Sequence, residues 1–312
     1  MNKILHYSFI KTKLIFILFI LLSVINCLIY VFRNKFVYIP STTYQELYSP
    51  CTNNCLKKWK QTITGYSSVE INRARQLADS IIGQSPKNTI DKILILSGFL
   101  YKKFNKQISS PDKNILTGSP LNQYYILCNN SSVQLWCGNF AAIFSSLCWA
   151  INIPCRTIEI INPGNHHVIN ECYIKEDKKW VMVDITNNQL LSMNAEKKYL
   201  NLLDFKKLLE SSLPIQIIKQ YRTVMQTDTI TTYSTYLEKY YKKQNAIYYY
   251  YNTDFSNIDD TGNKFKRYVW PVSWYLINME ATADNTPFHV KQGLLLAWLI
   301  SGIILVIKKS RK

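Results

Sequence analysis

The chain has 312 residues, 47% of them hydrophobic, with 37 Lys and Arg against 20 Asp and Glu. That apolar content is enough to bury a sizeable core, which excludes a chain disordered throughout. The formal net charge of +17 suits a solvated basic surface or anionic cell-envelope polymers and lipid headgroups, but no zinc finger, aromatic RNA-binding signature or dense Lys/Arg stripe accompanies it, so nucleic acid is not expected as a partner.

Much of the charge gathers at the ends. Residues 1–13 carry three Lys and no acid, and residues 308–312 carry four Lys or Arg and no acid. Between Lys13 and Arg33 lies an uncharged run of nineteen residues, Leu14 to Phe32, long enough for a helix to cross a bilayer. No small-x-small cleavage site follows it, so a retained signal anchor is expected rather than a cleaved signal peptide, with Cys27 inside the membrane. A second apolar run, Gly293 to Ile307, is shorter, but Lys291 and Lys308 can snorkel from a span over residues 291–307. Basic tails at 1–13 and 308–312 then place both termini in the cytoplasm and the domain between them outside.

Residues 33–66 read as an irregular juxtamembrane connector with Pro40 and Pro50. Within it, Cys51 and Cys55 can form a short-loop disulfide or remain two thiols; the spacing has no matching second pair, and no metal site or cofactor is expected. Ser67 and Glu70 form a capping pair, after which Val69, Ile71, Ala74, Leu77, Ile81 and Ile82 recur at helical steps. A second helix is expected from about Thr89 to Phe104, then a loop-rich stretch over 105–130. Residues 137–150 read as a buried helix ended by Asn152 and Pro154. Arg156 to Ile161, then HVINECYI, then WVMVDI read as strands separated by NPGNHH and KEDKK turns. Ala195 to Leu213 reads as an amphipathic helix. The Tyr-rich stretch 233–251 packs on the core or binds sugars and anionic polymers. In the extension 216–290, Trp270 and Trp274 either cover a groove or pack.

The residues that can carry chemistry are Cys137, His167 and Asp184. Cys137 sits where a helix begins, so backbone N–H groups and the helix dipole favour a thiolate and can stabilise an oxyanion. His167 and Asp184 lie on successive strands, and antiparallel pairing across KEDKK can bring imidazole and carboxylate together in a nucleophile, base and orienting-acid set. Gly138 leaves room for substrate beside the backbone. Gln134 and Trp136 line the site, donate to the oxyanion, or pack.

Four blocks in order resemble the transglutaminase-like superfamily: Cys137-Gly138-Asn139-Phe140-Ala141, Ile153-Pro154-Cys155-Arg156, His167-Val168-Ile169-Asn170-Glu171 and Trp180-Val181-Met182-Val183-Asp184-Ile185-Thr186. Asn139 stands where that family usually has an acid, and Ile185 where Pro commonly follows the Asp. Glu171 assigns the motif histidine to His167 rather than His166. The resemblance implies an α+β, papain-like core over residues 67–215, helices packed on an antiparallel sheet, flanked here by two transmembrane helices. It also implies thiolate attack on an amide carbonyl, an acyl-enzyme, and transfer to water or an amine. Family members include cross-linkers, deamidases, peptide N-glycanases and proteases, and nothing in this sequence resembles the calcium sites of the animal cross-linking enzymes. The reading adopted is a membrane-anchored cysteine peptidase or amidase acting on protein or cell-wall peptide. The alternatives are a catalytically inactive scaffold or polymer-binding module; a transporter is not expected, because a large domain separates two terminal spans.

Overall fold

The computed structural model describes residues 2–32, 42–59, 68–84, 87–110, 118–162, 165–222, 224–230, 240–241, 246–250, 276–278 and 285–310, together with positions 36, 38, 115 and 237. Ser67, Trp270 and Trp274 lie outside the described residues. The chain divides into two compact units.

The first unit holds residues 1–40, 259–273 and 283–312. Its helices α1 (Asn2–Val31) and, last in the chain, α9 (Thr286–Ser310) are both long and apolar enough to cross a membrane by length and composition. They pack on one another through Phe19 and Trp298, whose rings stack at 5.6 Å, and through a 2.7 Å hydrogen bond from Trp298 Nε1 to Ser23 Oγ. Gly302 makes that approach feasible, since a Cβ there would lie 3.1 Å from the Phe19 ring. The C-terminal helix begins well before Gly293, because the apolar run understates a helix whose first turns are polar.

The second unit is built around an antiparallel sheet. Its elements in chain order are α2 (Tyr44–Tyr48), α3 (Asn53–Lys58), α4 (Ser68–Ile82), α5 (Thr89–Phe104), α6 (Pro120–Asn129), α7 (Cys137–Ala150), β1 (Cys155–Asn162), β2 (Asn165–Ile174), β3 (Lys179–Val183), β4 (Leu191–Met193), α8 (Leu202–Glu210), β5 (Ile215–Tyr221), β6 (Val224–Ile230), β7 (Ala246–Tyr250) and β8 (Leu276–Asn278). The main sheet has the order β3-β2-β1-β7-β8, and a smaller one has the order β4-β5-β6. Alternation along the strands sends side chains to two cores. Cys172, Ile174, Val181 and Val183 face the α4–α7 helices, whereas Ile169, Tyr173, Trp180 and Met182 face a second layer with α8, β5 and β7.

Three segments differ from the sequence reading. Residues 44–59 are not irregular: Leu47, Leu56 and Trp59 bury in the second core, and Cys51 is disulfide-bonded to Cys55. The 105–130 stretch contains α6, started by Ser119 accepting from Asn122 N and by Pro120 in the first turn. The helix expected over 195–213 shortens to α8, because Asn194 closes a turn by accepting from Lys198 N at 2.8 Å and Asn201 caps the helix instead, accepting from Asp204 N.

The end of α7 is written locally. Asn152 takes a positive φ of 64°, and Ile153 N and Asn152 N donate back to Cys148 O and Trp149 O. This is the paired closure of a Schellman turn, which Asn tolerates and after which Pro154 bars further helix. The turn delivers the chain directly into β1.

Candidate active site

Cys137 occupies the first position of α7, half-buried. The segment that delivers it is held from outside. Leu135 N donates to Gln107 O at 2.9 Å, and Gln107 Nε2 donates to the carbonyls of Asn130 and Val133. Asn139 Oδ1 then accepts from Trp136 N at 2.8 Å, so the third helical residue reaches back to the residue before the helix. Asn139 Nδ2 also donates to Gln123 Oε1 at 3.0 Å, a bond an acid at that position could not make. The departure from the family pattern therefore leaves the helix start bonded.

His166 and His167 fall on opposite faces of β2. His166 is exposed and 3.2 Å from Glu159, whereas His167 is buried and its Nε2 lies 2.7 Å from Asp184 Oδ2. The β2–β3 register pairs Asn170 with Val183, so Asp184 falls diagonal to His167 on one face. The Cys137 thiol lies beside the same imidazole, close enough to favour its charged form. Burial opposes charge on His167, but the Asp184 carboxylate, its hydrogen bond and the contact with Cys137 outweigh it and raise the imidazole to about 10.

Asp184 is surrounded by donors. Asn187 N donates to Oδ1 at 3.3 Å, while the Asn187 amide and the Tyr241 hydroxyl, the latter at 2.6 Å, both reach Oδ2. Its backbone pairs twice with Gln189 at 2.8 Å. Ile185, where the family favours Pro, is buried in the helix-side core. Tyr240 lies over the His167 ring at 4.7 Å between centroids. Its phenol is pushed up by burial and by the charges of Cys137 and Asp184, which places it beside both.

The other sequence candidates differ in position. Trp136 is 52% exposed immediately before Cys137, on the open side of the helix start. A Cβ at Gly138 would meet only Val168 Cγ2, at 4.0 Å, so the protein itself has room for a side chain there. Gln134 is half-buried in the segment clamped by Gln107.

Beneath the site, Arg156 and Glu171 are fully buried and paired. Glu171 Oε2 accepts from Arg156 Nε at 2.9 Å and Nη2 at 2.6 Å; Oε1 accepts from Tyr48 OH and Leu202 N. Arg156 Nη1 donates to Leu47 O, and Trp180, Tyr249, Trp59 and Tyr48 surround the guanidinium at 4.1 to 4.9 Å. The pair ties β1 and β2 to α2 and to the start of α8.

Sequence reasoning missed Asn187, Tyr240, Tyr241 and Gln107. Asn187 had a local signal, an Asn three residues after Asp184 able to close an Asx-type turn. The two tyrosines had none, lying more than fifty residues from Asp184 in a stretch where Tyr is abundant.

Residues 75–185 match the family model of the transglutaminase-like superfamily, and this segment is therefore a transglutaminase-like core. Among solved structures, a candidate cysteine protease from Cytophaga hutchinsonii is similar at 16% identity with a TM-score of 0.34. The match covers 64% of this chain and 64% of that one, so the chain spans just under two thirds of its neighbour's length. No curated protein matches the chain.

Proposed function

We propose that the protein is a membrane-anchored cysteine hydrolase that cleaves amide bonds in protein or cell-wall peptide. Cys137 is the nucleophile, His167 the base and acid, and Asp184 the orienting carboxylate. The observation that carries this reading is the Cys137 thiol beside an imidazole whose Nε2 is 2.7 Å from a buried carboxylate. In the reaction, Cys137 attacks the carbonyl carbon as a thiolate whose proton His167 already holds, and His167 gives that proton to the leaving amine. The first backbone N–H groups of α7 have no partner within the helix and are placed to bind the oxyanion. Water then attacks the thioester, His167 takes its proton, and the acid product leaves. Trp136 and Gly138 border the substrate, and Gln134 supports the helix start.

The two apolar helices support anchoring. Only 6% and 11% of their apolar windows are buried, whereas the core helix of a soluble domain would bury most of its length. We place spans at 14–32 and 291–307, both termini in the cytoplasm, and residues 67–215 with the 216–290 extension outside, where anionic envelope polymer can meet the basic surface.

The test is mass-spectrometric mapping of a thiol-reactive amide probe on the detergent-solubilised chain, beside Cys137→Ala and His167→Ala. Selective labelling of Cys137 that collapses in His167→Ala, with peptide fragments released by the native chain, supports hydrolysis. A primary amine appearing on the product in place of water would make it a transferase. Labelling indifferent to His167 would reduce the domain to a scaffold.

A further inference from the structure

Three cysteines that the proposed chemistry does not use meet inside the helix-side core. Cys148 lies in the last turn of α7, Cys155 opens β1, and Cys172 sits on β2 directly opposite Cys155 in the antiparallel register. All three are fully buried, and their Sγ atoms lie within 4.8 Å of one another. Two polar side chains converge on the same point. Ser145, one turn before Cys148, and Asn170, two residues before Cys172 on the same face of the strand, lie beside Cys155, with Asn170 Nδ2 donating to Ala141 O at 3.2 Å and Thr157 Oγ1 at 3.3 Å. Ser145 is 2% exposed and Asn170 is 1% exposed, beside a core that is largely apolar.

We propose that Cys148, Cys155 and Cys172 bind one Zn²⁺, with the Ser145 hydroxyl as the fourth ligand. Zinc takes thiolates at about 2.3 Å in a tetrahedron, which asks for sulfurs about 3.8 Å apart. The cluster reaches that by small side-chain adjustment. A disulfide would join two sulfurs and leave the third, with Ser145, buried beside it; a cation uses all four donors. Three thiolates and Zn²⁺ leave one net negative charge, and the Asn170 amide, held by Ala141 O and Thr157 Oγ1, stands in the second layer beside it. Binding releases one proton from each thiol that starts protonated, as the Zn–S bonds replace the S–H bonds.

The site is closed, with four protein donors and no solvent exposure, which makes it structural rather than catalytic. It joins the end of α7 to β1 and β2. Cys137 begins that helix and His167 lies on β2, so the ion would clamp the two elements that carry the nucleophile and the imidazole. The sequence hides the site because the ligands are separated by seven and seventeen residues, neither of which is a paired CxxC spacing.

The test uses the full-length chain in detergent carrying Cys137→Ala, which removes the half-buried active-site thiol as a competing ligand. Elemental analysis is expected to find about one zinc per chain, falling to near zero in Cys148→Ser and in Cys172→Ser. Should those variants fail to fold, cobalt exchanged into the parent chain is expected to give a thiolate-to-cobalt charge-transfer band in the near ultraviolet. A folded parent chain that holds no metal after growth with zinc and shows no such band overturns the proposal. So does copper in zinc's place, or a Cys155–Cys172 disulfide peptide in a non-reducing digest.

Discussion

Replacing Arg156 by Met tests how the sheet beneath the site is held. The substitution keeps volume and removes the charge, leaving Glu171 with the Tyr48 hydroxyl and Leu202 N as donors and no cation. Both side chains of the native pair are 0% exposed, so solvent cannot take over the carboxylate. Breaking a buried pair in this way costs about 3–5 kcal/mol. With a urea slope of roughly 2–3 kcal/mol/M, the unfolding midpoint drops by about 1–2.5 M. The double variant Arg156→Met/Glu171→Leu removes both charges and leaves Leu202 N as the orphaned donor, since Tyr48 OH keeps Tyr249 OH at 2.6 Å. One unsatisfied buried donor costs about 1–3 kcal/mol, so the double variant should be more stable than the single one. Urea unfolding of the chain in detergent, followed by the fluorescence of Trp59 and Trp180 against the guanidinium, reads both. A single variant within about 1 kcal/mol of the native chain, or a double variant no better than the single, would refute the argument that an unpaired buried carboxylate sets the cost.

Asp184→Asn removes the anion that holds the His167 proton, and amide turnover should fall by a factor on the order of 10⁴, as in other nucleophile, imidazole and carboxylate sets; steady-state kinetics on a fluorogenic peptide amide checks it. Tyr241→Phe keeps the ring against Phe205, 5.2 Å away, but loses a hydrogen bond to a carboxylate. A stability loss of about 1.5–3 kcal/mol is expected by denaturation, with a smaller loss of turnover than Asp184→Asn. His167 is raised to about 10 in the folded chain from about 6.5 unfolded. Its contribution to stability is therefore fully present below about pH 6.5 and is lost as pH rises through the folded value. Native stability minus that of His167→Gln, measured by thermal unfolding from pH 6 to 10, should shrink toward the alkaline end. Gly138→Ala meets only Val168 at 4.0 Å and gains helix propensity, so stability should stay or rise by up to about 1 kcal/mol while turnover of amide substrates falls. An unchanged turnover would remove substrate approach as the reason for glycine there.

What the sequence determined is local. The stop of α7 was legible because Asn152 and Pro154 act through their own backbone angles. The β1–β2–β3 order was legible because short polar turns separate runs with period-two alternation, and that alternation alone sends His166 and His167 to opposite faces. The hairpin register followed from the same turns, which is why imidazole and carboxylate could be expected to meet. The tertiary structure decided what depends on groups far apart in the chain. Tyr241 reaches Asp184 across 57 residues, and Tyr48 reaches Glu171 across 123. Residues 44–59 looked like a connector because their few apolar side chains have no periodicity of their own; Leu47 and Trp59 are explained only by the sheet face they cover. The Cys148, Cys155 and Cys172 cluster depended on a helix end and two strands meeting, and no spacing along the chain encodes such a meeting. Each of these contacts needed the sheet to close first, since burial creates the demand that a distant donor, ring or sulfur then satisfies.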